Sequence, residues 1–242
     1  MKLVGVHARA QTLELLRYPA FSVPTLALPA ILFCFFGLPR AGGRANVLLA
    51  SFAAYGVLSV AFFQFGVGIA TERTRPWEAF LRTLPVGVAT RIAARAVSAL
   101  GFAAASAAVV AGVALLTTDT QLSATASARL ALALLAGSVP FTALGIALGY
   151  WIPPKGALPV ANILYLTLAY AGGLWTGPSG LPTLVSNLSR GLPTREWGEI
   201  LWPAATGNAW SATPWVALLA YAVAFAALAA WGYRRDEGQR FR

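Results

Sequence analysis

The chain has 242 residues, 58% of them hydrophobic and 11% charged, whereas a soluble domain carries about 45–50% apolar and about 25% charged residues; that is too little charge for a surface facing water. Eighteen basic against eight acidic residues give a net charge of +10, but so apolar a background argues against nucleic acid as the partner. One cysteine, Cys34, and one histidine, His7, exclude a disulfide framework and any metal site built from several His or Cys ligands, which leaves a membrane protein.

Residues 1 to 19 come first. Leu3, Val6, Ala10, Leu13 and Leu16 recur at a rough 3,4 spacing that predicts an amphipathic helix lying at the membrane interface, with Arg9 and Arg17 snorkelling to the headgroups. Charged and polar residues interrupt this stretch before any apolar run begins, so no cleavable leader is expected and the first span should stay. Arg17-Tyr18-Pro19 then breaks the helix.

Crossing the hydrocarbon takes about 20 mostly apolar residues in one helix. Six stretches qualify, near Ala20 to Leu38, Ala45 to Ala70, Ile92 to Leu116, Leu130 to Trp151, Leu158 to Thr176 and Trp210 to Tyr233. Continuous runs of this length do not fit a barrel of alternating strands. Pro24 and Pro29 predict a bend in the first. In the second, Phe62, Phe63, Gln64 and Phe65 cluster, and with Asn162, Tyr165 and Thr167 of the fifth they are the candidates for a substrate path. Residues such as Gln64 and Asn162 more often hydrogen-bond neighbouring helices than bind cargo.

Between the second and third spans, Trp77, Phe80, Leu81 and Leu84 share one helical face at i, i+3, i+4 and i+7. Arg75, Glu78 and Arg82 share the other, with Pro76 suited to the start and Pro85 to the stop. Such a helix either floats at the interface or presents its charged face to a partner. Gly145-x-x-x-Gly149 in the fourth span lets another helix approach closely, by packing within the chain or at a dimer contact. The long connection from 177 to 209 carries two apolar clusters, around Leu181 to Leu188 and Trp197 to Trp202. Both predict short helices dipping into the outer leaflet, as a cap or as the wall of an exit path. Residues 234 to 242 form a basic tail, so the expected organisation is an interfacial helix (1–19), a six-span domain (20–233) and the tail.

Six spans put both termini on one side. Lys2, Arg9, Arg17, Arg73, Arg75, Arg82, Arg91, Arg95, Lys155, Arg234, Arg235, Arg240 and Arg242 fall there, against Arg40, Arg44, Arg129, Arg190 and Arg195 on the other. The positive-inside bias makes the first side cytoplasmic, where anionic lipid also attracts it.

No Asp, Glu, Lys or Arg lies deep in a span, which disfavours ion-coupled transport and intramembrane aspartyl proteolysis. There is no Gly-x-x-x-x-Gly-Lys-Ser/Thr phosphate loop, so any ATP must be hydrolysed by another polypeptide.

Glu72-Arg73, then Leu81-Arg82-Thr83-Leu84-Pro85-Val86, then Arg95-Ala96 resemble the signature of ABC-2 type permeases, the membrane subunits of one class of ATP-driven exporters. Arg17-Tyr18-Pro19 is similar to that family's Arg-x-Pro approach to the first span, and Leu181 to Leu201, with Pro182, Pro193 and Trp197, resembles its short outer helices before the last span. The likeness covers nearly the whole chain in topology and only these short pieces in sequence. Arg75-Pro76 departs from it, standing where Gly-Thr is frequent.

The resemblance implies an all-α membrane protein in which Glu72, Arg73, Arg75, Trp77, Glu78, Phe80, Leu81 and Arg82 belong to a coupling helix docked on a separate ABC ATPase. That partner, not this chain, would hold ATP and Mg; this chain would bind no cofactor and no nucleic acid. It would work in the cell (inner) membrane as a homodimer or with a sister permease, exporting a hydrophobic or amphipathic drug, lipid or glycan. Other readings stay open at this point: a membrane substrate-binding subunit, a haem-export or assembly permease, or a transferase of lipid-linked groups, for which Glu72 and Glu78 are sparse metal ligands.

Overall fold

A computed structural model describes residues 2–76 and 88–240, with side chains from 3 to 76 and from 90 to 237. Every described regular element is helical. The helices are α1 (Lys2–Leu16), α2 (Pro19–Leu32), α3 (Ala45–Val60), α4 (Gly68–Glu72), α5 (Val88–Thr117), α6 (Ala124–Trp151), α7 (Pro154–Ala171), α8 (Thr183–Ser189), α9 (Pro193–Thr206) and α10 (Ala212–Arg240). A π turn over Phe33–Gly37 and a 3₁₀ turn over Leu38–Arg40 extend α2, and a seven-residue π segment, Ala61–Val67, joins α3 to α4 without a break. Trp77, Glu78, Phe80, Leu81 and Arg82 of the expected coupling helix lie outside the described residues.

Among the described residues five continuous helices are long and apolar enough to cross a membrane: Pro19–Arg40, Ala45–Glu72, Thr90–Thr117, Ala124–Trp151 and Ala212–Glu237. The expected fifth span corresponds to α7, whose 18 residues reach about 27 Å at 1.5 Å per residue. Lys155, Pro159 and Asn162 make it less apolar than those five.

Two boundaries differ from the sequence expectation for local reasons. α6 starts six residues before Leu130, because the Ser123 side chain accepts a hydrogen bond from the Ala126 N–H at 3.1 Å and caps the helix there. α10 runs through residue 240, so residues 234–240 are its last turns.

Pro24 and Pro29 are accommodated inside α2. Pro29 has no N–H for the Thr25 carbonyl. That carbonyl instead accepts from Ser106 Oγ of α5 at 3.0 Å, which turns a helix defect into a cross-helix bond.

Helix α3 with its π segment is the axis of the molecule. In that helix 83% of the most apolar window is buried, against 17% for α10. Phe33, Phe52, Tyr55, Phe62, Phe65, Phe141, Tyr165 and Trp197 are the large side chains closed off around it. Contacts between distant segments define two ends. At one, Glu72 meets Arg95, Arg73 meets Asp236 and the Ile152 carbonyl, and Trp151 Nε1 donates to Leu228 O at 3.2 Å. At the other, Asn46 Nδ2 donates to Gln121 O at 2.9 Å, Arg129 reaches Asn208 O, and Phe36 stacks on Trp175. Helix α1 lies along α5, where Thr12 Oγ1 donates to Ser98 Oγ at 3.0 Å.

Candidate functional site

Three of the expected coupling residues are described. Glu72 closes α4 and forms an ion pair with Arg95 of α5, joining the helices on either side of the 73–87 segment. Arg73, the next residue, pairs with Asp236 of α10 and donates from Nη2 to Ile152 O at 3.1 Å. One guanidinium thereby ties the end of α4 to the α6–α7 connection and to the last helix. Asp236 is 7% exposed, so this pair sits largely out of water, where attraction between charges is least screened. Arg75 is exposed.

The aromatic candidates lie in the middle of the bundle. Phe62 and Phe63 approach Tyr165 with ring centroids 6.3 and 5.5 Å apart. Gln64 is buried and donates to Ser98 Oγ at 3.4 Å, so it links the axis to α5 and, through Ser98, to Thr12 of α1. Asn162 stands apart: its amide donates to Leu158 O one turn earlier on its own helix.

Tyr55 was not among the sequence candidates, yet it is the hub. It stacks on Tyr165 at 4.5 Å and meets Trp175 edge-on at 6.1 Å. Among the described residues Trp175 Nε1 and Gln64 Oε1 are buried without a hydrogen-bond partner, a costly state that most native polar groups avoid.

Phe62, Phe63 and Gln64 belong to the π segment, a geometry rare in helices and frequent at functional sites. The wide turn is held by glycines of α6. A Cβ on Gly145 would fall on the Ala61 carbonyl, and one on Gly149 would come within 2.7 Å of Ile69 Cβ. The Gly145-x-x-x-Gly149 face is thus turned inward on this chain's own second apolar helix.

Helix α9 enters the bundle more deeply than a cap lying in the outer leaflet. Trp197, Ile200 and Leu201 are fully buried. Trp197 Nε1 donates to Ala133 O at 2.8 Å, Trp202 Nε1 to Ser51 Oγ at 2.8 Å, and Thr194 Oγ1 to Leu168 O at 2.7 Å. Its polar first turn holds Arg195, which pairs with Glu199 and lies over the Trp202 ring. Partial burial, then the neighbouring Glu199 carboxylate, raise the Glu196 pKa from 4.5, while Arg195 pulls it down.

Below its unfolded-state value Glu196 is protonated in both states and costs nothing. As pH rises through its higher folded-state value the native state loses stability relative to the unfolded one. Glu196→Gln should therefore melt above the parent near neutral pH, with the gap closing towards about pH 4. Tryptophan fluorescence melts in detergent across that range check it; parallel curves would contradict it.

The chain resembles a Bacillus subtilis (strain 168) protein named "Putative transport permease YvfS", 24% identical over 243 residues, covering 98% of this chain and 99% of that protein. No family model matches the chain, and no solved structure matches it. The likeness runs end to end, over every helix described above rather than one motif.

Proposed function

We propose that the chain is the membrane permease subunit of an ATP-driven ABC-2 type exporter, crossing the inner membrane six times with both termini in the cytoplasm. The observation that carries this reading is the pair of ionic ties, Glu72 to Arg95 and Arg73 to Asp236, at the mouth of the 73–87 segment. Any displacement of that segment is delivered at once to α4, α5 and α10. The full-length likeness to a permease-named protein and the five apolar helices support the same reading. A separate ATPase, holding ATP and Mg, would dock on the charged face around Arg75, and two permease chains, identical or sister, would share two ATPases. The cargo would be hydrophobic or amphipathic and uncharged where it meets Tyr55, Phe62, Phe63 and Tyr165.

The test uses the chain tagged in its own host and purified in detergent, with magnesium-dependent ATP hydrolysis of the purified material as the readout. Arg75→Glu and Arg82→Glu should each lower copurifying hydrolysis several-fold while leaving the yield of the chain and its helical circular dichroism unchanged. No copurifying ATPase, or equal hydrolysis in the variants, would sink the docking assignment.

A further inference from the structure

The end of the bundle remote from Glu72 carries a cleft of about 430 Å³, lined among others by Leu38, Arg44, Asn46, Thr117, Asp119 and Thr206. That is within the size range of small-molecule sites, about 300–1,000 Å³. Most of its polar lining is already engaged. Asn46 is bonded to Gln121, Thr117 donates to Val113 O and Thr206 to Trp202 O. Two groups are not: among the described residues the Arg44 guanidinium and the Asp119 carboxylate make no hydrogen bond or ion pair. A cleft that presents one unpaired cation and one unpaired anion is complementary to a small ligand carrying both charges.

Its surroundings indicate where such a ligand comes from. The helical turns immediately before the lining residues Leu38 and Thr117 expose Phe35 at 71%, Leu115 at 59% and Leu116 at 87%. These side chains lie at the ends of two of the membrane-length helices, Pro19–Arg40 and Thr90–Thr117. The cleft therefore begins where the lipid-facing surface stops, at headgroup depth.

We propose that this cleft binds the phosphoethanolamine headgroup of a membrane lipid, with the phosphate on Arg44, the ammonium on Asp119 and the acyl chains along Phe35 and Leu116. A primary ammonium can donate hydrogen bonds to a carboxylate. Choline cannot, and a glycerol headgroup has no cation to offer. Charge-assisted bonds at both ends give the selectivity.

The experiment is native mass spectrometry of the delipidated full chain titrated with phosphatidylethanolamine, phosphatidylcholine and phosphatidylglycerol, with soluble O-phosphoethanolamine as a further arm. The ethanolamine lipid should be retained about tenfold better than either other lipid. Arg44→Gln and Asp119→Asn should each erase that preference while leaving the circular dichroism and melting of the chain unaltered, since both side chains are exposed. Equal retention of the three lipids, or an unchanged preference in both variants, overturns the proposal. Binding of O-phosphoethanolamine as tight as that of the lipid overturns the lipid as its source.

Discussion

Trp197→Ala should destabilise the chain by about 3–5 kcal/mol, the cost of removing a large aromatic side chain from a closed core. Three losses combine. Trp197 is fully buried, its ring lies 5.1 Å from that of Phe141, and its indole N–H is bonded to the Ala133 carbonyl of α6. Gly137 leaves room for that ring, since a Cβ there would overlap it. Phenylalanine at 197 keeps most of the volume and loses the indole hydrogen bond, while the Ala133 carbonyl keeps its partner within α6, so Trp197→Phe should cost about 0.5–1.5 kcal/mol, the net worth of one hydrogen bond. Thermal melts of the purified chain in one detergent rank the three proteins. An alanine variant that melts like the parent would mean that α9 is a dispensable cap rather than a wedge in the core.

The second large effect is expected at Gly145. A methyl group there meets the Ala61 carbonyl, which belongs to backbone and cannot swing aside as a flexible side chain would. Gly145→Ala should therefore cost about 1–3 kcal/mol, as overpacking does, and Gly145→Val more. Gly112 on α5 is the matched control, because a Cβ there meets nothing within 4 Å. Gly112→Ala should be neutral or stabilising by up to about 1 kcal/mol, the ordinary helix gain over glycine. Opposite shifts in melting temperature are the expected result. If the two alanine variants shift together, α6 does not clamp the π segment in the way the glycine contacts require.

Much of the architecture is legible in the sequence, since a run of about 20 apolar residues has few ways to satisfy its backbone other than a helix. What escapes is whatever depends on partners far along the chain. A π segment leaves no distinctive periodicity over seven residues; it follows from how α6 glycines meet Ala61 and Ile69. Tyr55 reads as one aromatic residue in a small-residue helix, and only folding brings Tyr165 onto its face. Asp236 reads as an acid in a basic tail, although α10 continues far enough to carry it to Arg73. Glu72 and Arg95 are likewise 23 residues apart with Arg73, Arg75, Glu78, Arg82 and Arg91 between them, so the sequence offers several bases for one acid and only the fold selects the pair. Asn162 shows the converse hazard: a polar residue in an apolar helix attracts notice, yet its amide is spent on its own backbone.

The contrast in burial between the axis and the last helix divides the chain into two regimes of mutational tolerance. Along Ala45–Glu72 most neighbours are protein, so Ser51, Ser59 and Gln64 are admissible where they find partners. There a change of shape is felt more than a change of polarity. Along α10 most neighbours would be acyl chains, which fill any contour, so Val216, Leu219 and Val223 should exchange freely among apolar residues of any shape. A single charge at those three sites would be rejected on solvation alone. A saturation library scored by membrane expression would therefore reveal which helices face lipid before any of them is assigned a partner.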